Sequence, residues 1–150
     1  MRGLSFLVDG ELFAIDVNLV QKVIGKMTVT PVFSASDAVI GIANIKGRVV
    51  TILSLYKLLG HKERRESERI SYAINAVVIK TDSSSKDQMG MIIEKPGELI
   101  DIDDDSIRRP SLTSGFEDNF CISGIAEVGD RLYRIINIDA IMQEYRTGTE

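Results

Sequence analysis

The chain has 150 residues, 44% hydrophobic and 27% charged, with one cysteine and a formal net charge of -4. That length supports one sizeable core or two small ones, and the composition excludes disordered and fibrous classes. A net negative charge offers phosphate no favourable overall field, a lone cysteine leaves no intramolecular disulfide framework, and no apolar run approaches the ~20 residues of a membrane-spanning helix. The expectation is a cytoplasmic protein that neither binds nucleic acid nor inserts into a membrane.

Residues 4–8 and 12–17 flank Asp9-Gly10-Glu11 and predict a hairpin, because Asp-Gly supplies the positive φ of a tight turn. Asn18 is placed to cap a short helix carrying Leu19, Val20 and Val23 on one face, with Gly25 as its stop. Thr28-Val29-Thr30 reads as extended ahead of Pro31, and residues 34–37 read as a loop. Residues 39–45 and 48–53 predict a second hairpin around Lys46-Gly47, followed by one or two helical turns over 54–60. The mixed-charge run 61–69 is too polar to pack and too balanced to make a cationic patch, so it reads as a connection.

Residues 73–80 and 88–94 repeat the opening hairpin around a polar loop at 81–87. Pro96-Gly97 punctuates the chain before it extends again over 98–102. Residues 120–128 and 131–136 form the closing hairpin, after which Asn137 or Asp139 caps a helix carrying Ile141, Met142 and Tyr145.

The strongest internal signal is a match between the halves. A shift of 83 positions aligns Gly41-Ile42-Ala43 with Gly124-Ile125-Ala126, Arg48 with Arg131 and Ile52 with Ile135, and keeps Val49 and Leu132 both apolar. A shift of 76 pairs Phe13-Ala14-Ile15 with Met89-Gly90-Met91 and Val23-Ile24 with Leu99-Ile100. Two similar small β units follow, and closed barrels suit them because closure removes unpaired edges; an open β-sandwich is the second candidate.

Reactive groups are scarce. His61 opens the charged run and reads as solvent-exposed, while Cys121, between Phe120 and Ile122, reads as a small hydrophobe without a base to activate it. Asp101, Asp103, Asp104 and Asp105 lack the glycine and glutamate that a calcium loop requires, and Gly25-Lys26-Met27-Thr28 lacks the leading glycine of a phosphate loop. Neither a metal nor a cofactor is expected, and the chain reads as one that works by presenting surfaces, with a groove between its two units as a natural binding place.

The stretch Gly41-Ile42-Ala43-Asn44-Ile45-Lys46-Gly47-Arg48-Val49-Val50 resembles the Gly-Val-x-Asn-Leu-Arg-Gly-x-Val motif of the CheW family of bacterial chemotaxis coupling proteins. Phe13-Ala14-Ile15-Asp16-Val17 with Val20, Val23 and Ile24, then Gly90-Met91-Ile92-Ile93-Glu94, Ile107-Arg108-Arg109-Pro110 and the closing Gly129-Asp130-Arg131-Leu132, extend the resemblance over residues 4–145. It implies a mainly β fold of two linked SH3-like five-stranded β-barrels with short helices, a single domain over 1–150 whose subdomain boundary falls near 60–75. It also implies a non-catalytic adaptor that joins a chemotaxis histidine kinase regulatory domain to the cytoplasmic tip of methyl-accepting chemoreceptors, and so associates with membrane arrays through its partners. The implied receptor-binding residues are Val20, Val23, Ile24, Asn44, Lys46 and Arg48; the kinase-binding residues stay unassigned. Lys46 stands where the family motif has Arg, and Ser54 where the family has Asp. These departures leave room for the alternative of a freestanding regulatory module of a parallel sensory or surface-motility pathway.

Overall fold

A computed structural model of the chain describes residues 1–32, 38–59, 74–80, 88–109 and 120–148. The strands in chain order are β1 (Arg2–Val8), β2 (Glu11–Asp16), β3 (Val20–Met27), β4 (Thr30–Pro31), β5 (Val39–Ile45), β6 (Arg48–Ser54), β7 (Ile74–Ile79), β8 (Gln88–Ile93), β9 (Lys95–Asp101), β10 (Ile122–Val128) and β11 (Arg131–Ile136). The helices are α1 (Leu55–Leu58) and α2 (Ile138–Gly148). The backbone divides into two compact units, one of Met1–Leu19 with Pro96–Glu150 and the other of Val20–Lys95. The predicted connection over 61–69, the loop at 81–87 and most of the expected subdomain boundary lie outside the described residues.

All the predicted hairpins form. Asp9 (φ 54°) and Gly10 (φ 76°) turn the chain between paired Val8 and Glu11, and Lys46 (φ 52°) and Gly47 (φ 83°) do so between paired Ile45 and Arg48. Positive φ at both central residues matches the right-handed twist of the flanking strands. The helix expected after Asn18 does not form: Val17–Leu19 makes one short 3-10 turn and Val20 then opens β3. Ladder bonds to β7, from Val20 opposite Ile79 to Met27 opposite Ile74, outweigh a capping signal followed by β-branched residues that already favour a strand.

The expectation of two closed five-stranded barrels is overturned. One unit holds a five-stranded mixed sheet in the order β10-β11-β2-β1-β9, the other a six-stranded mixed sheet in the order β3-β7-β8-β6-β5-β4. Each ladder stops at edge strands instead of returning on itself, so closure is not how these sheets manage their edges.

Each sheet joins two antiparallel hairpins through one parallel pair, and the internal repeat predicts the register of one from the other. Phe13 and Ala14 of β2 lie opposite Arg134 and Ile135 of β11. Met89 and Gly90 of β8, the counterparts at a shift of 76, lie opposite Thr51 and Ile52 of β6, the counterparts at a shift of 83. Ile42 lies opposite Thr30, and its counterpart at the shift of 83, Ile125, lies opposite Arg108 in an antiparallel bridge. The hairpins are exchanged, however: the opening one (β1–β2) pairs with the closing one (β10–β11), while both middle hairpins share the second sheet.

Helix starts repeat as well. The Ser54 N–H donates to the Ala38 carbonyl at 2.8 Å and the Asn137 N–H to the Cys121 carbonyl at 2.7 Å. Ser54 Oγ then accepts from the Lys57 N–H at 3.3 Å, and Asn137 Oδ1 from the Ala140 N–H at 3.1 Å, so both residues cap. Ser54 thus caps α1 through its hydroxyl oxygen. The two cores are separate clusters: Met27, Val29, Ile40, Ala43, Val50, Ile52 and Ala76 in the second unit, and Ala14, Ile102, Ala126, Tyr133 and Ile135 in the first, which also stacks Phe6 on Phe13.

Candidate partner-binding surface

All six residues expected to meet a receptor lie in the Val20–Lys95 unit, in two groups. Val20, Val23 and Ile24 belong to β3, at one end of the sheet order; Asn44, Lys46 and Arg48 belong to the tip of the β5–β6 hairpin, with β7 and β8 between β3 and β6. On β3 the side chains divide by strand alternation: Ile24 is partly buried against the core cluster, whereas Val23 is 37% exposed. Ile24 thus anchors the strand and Val23 faces outward.

At the hairpin tip Asn44, Lys46 and Arg48 are all exposed. Asn44 Oδ1 accepts a hydrogen bond from the Gly47 N–H at 3.0 Å, which ties the side chain to the turn. Among the described residues none forms an ion pair with Lys46, so its ammonium is available to a partner. Beside Arg48, Val49 is 55% exposed, because the inward place on β6 is taken by Val50. Sequence reading overlooked Val49 as a surface residue; its counterpart at the shift of 83, Leu132, is likewise exposed, at 59%.

The chemistry-bearing residues behave as their surroundings dictate. Cys121 is fully buried, and burial, with the Glu144 carboxylate nearby, pushes its thiol up from 9.0 to about 12. Asp103 caps the turn Asp104–Ser106, accepting the Asp105 N–H at 3.0 Å. No group of three or more metal-ligating side chains occurs among the described residues, and no helix there is long and apolar enough to cross a membrane. His61 lies outside the described residues.

Two compact units, each built on a mixed β-sheet, with caps and turns in place of a reactive centre among the described residues, are the architecture of a CheW-like domain. The chain belongs to the CheW-like domain family, whose model matches residues 2–146. It is 25% identical to the chemotaxis protein CheW of Thermotoga maritima, over 94% of this chain and 87% of that one. Against the chemotaxis protein CheW of Rhizobium meliloti the identity is 23%, over 92% and 84%. The fold is shared with the crystal structure of the scaffolding protein TtCheW from Thermoanaerobacter tengcongensis, at a TM-score of 0.74 and 23% identity, covering 91% of this chain and 88% of that chain.

Proposed function

We infer that the chain is a non-catalytic adaptor of chemotaxis signalling that links a histidine kinase regulatory domain to the cytoplasmic tip of chemoreceptors. The observation that carries this reading is the family match over residues 2–146, nearly the whole chain. An adaptor of this kind acts by equilibrium binding alone: receptor binding at one surface alters the kinase held at another only through differential affinity for two arrangements.

The receptor surface we propose is built from Val20 and Val23 on β3, with Ile24 anchoring that strand to the core, and from Asn44, Lys46 and Arg48 at the hairpin tip. Outward-facing Val23, beside half-buried Val20, excludes water from a partner's apolar side chains, and the two cations fix its orientation against acidic groups. Exposure of Val23, Lys46 and Arg48 supports the assignment. Lys46→Ala is expected to weaken binding of a chemoreceptor tip about tenfold in a calorimetric titration, with an unchanged circular dichroism spectrum. Wild-type affinity in a folded Lys46→Ala protein would remove Lys46 from the surface.

A further inference from the structure

We propose that Asn44 is a positioning residue: its bond to the turn holds Lys46 in a left-handed backbone conformation that aims the ammonium group at an acidic side chain of the receptor tip. This rests on the reading of the hairpin tip as partner-binding and adds to it a division of labour between two residues.

Lys46 has φ 52°, a region that a side chain bearing Cβ enters at a cost and that glycine enters freely. The internal repeat supplies a control within the same molecule. At the position equivalent to Lys46 the β10–β11 hairpin has Gly129, with φ 64°, and at the position equivalent to Asn44 it has Glu127. That second turn also connects its strands through two residues, with Val128 opposite Arg131, and among the described residues no side chain bonds to it as Asn44 does to Gly47. A two-residue hairpin in this fold therefore needs neither the lysine nor the asparagine. The first tip carries a disfavoured backbone conformation at its exposed cation together with a side chain that fixes the turn. Asp9, at the same place in the β1–β2 turn, has φ 54° as well, so the conformation alone does not single out Lys46; what marks this tip is an exposed cation in that conformation together with the Asn44 side chain bonded across the turn. The Asn44 acceptor at 3.0 Å from the Gly47 N–H is the device that limits the turn to one geometry.

The test uses the full-length protein with Lys46→Gly, Asn44→Ala and Asn44→Asp, reading melting temperature, exchange of the Gly47 amide proton, and affinity for a purified chemoreceptor cytoplasmic tip. Lys46→Gly is expected to raise the melting temperature by a few degrees while lowering affinity about tenfold. Asn44→Ala is expected to speed exchange at Gly47 and lower affinity about fivefold with Lys46 still present, and Asn44→Asp, whose carboxylate accepts the same N–H, to restore both. If Lys46→Gly weakens binding but Asn44→Ala speeds exchange and binds as wild type, the positioning role is overturned and the binding surface stands. Unchanged affinity for Lys46→Gly overturns both, and a lowered melting temperature in that variant overturns the claim of strain.

Discussion

Single side chains in this protein are explained by the backbone they sit on. Cys121 illustrates the point: at the start of the closing hairpin it is a core residue, and its thiol is pushed up to about 12 because burial disfavours the thiolate. The native protein is therefore expected to resist Ellman's reagent at pH 8 and to react fully once unfolded by guanidinium; prompt reaction of the folded protein would contradict the burial. The linkage has a definite sign. Between pH 9.0 and about 12 the unfolded thiol loses its proton while the folded one keeps it, so the group's contribution to stability is present below pH 9 and declines as pH rises through that window. A Cys121→Ala protein should show a shallower fall in denaturant midpoint over that window than the wild type.

At the scale of strands and turns the two units repeat one plan, and the glycines at the heads of β5 and β10 show why. A Cβ on Gly41 would stand 2.3 Å from the Thr30 carbonyl oxygen, and one on Gly124 would stand 2.5 Å from Ile107 Cγ2 and 3.0 Å from the Arg108 carbonyl oxygen. In both sheets the chain crosses its own hairpin at that point, and only glycine leaves room. Gly41→Ala and Gly124→Ala are each expected to lose about 1–3 kcal/mol of stability, measured by urea unfolding. A change below about 0.5 kcal/mol in either would show that the crossing is looser than the structure has it.

Much of this scale was legible in the residues themselves. Asp9-Gly10 and Lys46-Gly47 announce their hairpins by local chemistry, and the shifts of 83 and 76 identify residues that occupy equivalent places in the two sheets. Two features were not legible. Asn18 followed by Leu19, Val20 and Val23 satisfies a helix pattern over too few residues to exclude a strand, and pairing with β7, more than fifty positions away, decides the matter. The parallel pairs β2–β11 and β6–β8, and with them the exchange of hairpins, leave no local trace, since strands so distant in sequence declare their partners only by packing. The inference of closed barrels failed for the same reason: it rested on strand count and family likeness, whereas edge pairing is a property of the assembled ladder. Of the candidate site, the cations at the tip followed directly from the motif, but the outward face of Val49 and the core role of Ile24 depend on which side of each strand meets the core.

Across the whole molecule, this is a protein whose work is to hold two others. Membership of the CheW-like family and two compact β units give it surfaces enough, and among the described residues Ser54 and Asp103 cap turns while Cys121 fills the core. A rim of exposed cations predicts that receptor affinity falls as salt rises, because charges at the edge of an interface are screened within about 10 Å at 0.1 M ionic strength. Lys46→Ala should flatten that dependence. The measurement that bears most directly on the central claim is sedimentation of the protein mixed with a kinase regulatory domain and a chemoreceptor cytoplasmic tip, alone and together. The expected result is a complex containing all three, with the tip recruited to the kinase domain only when this protein is present; strict competition between the two partners for the protein would contradict the adaptor role.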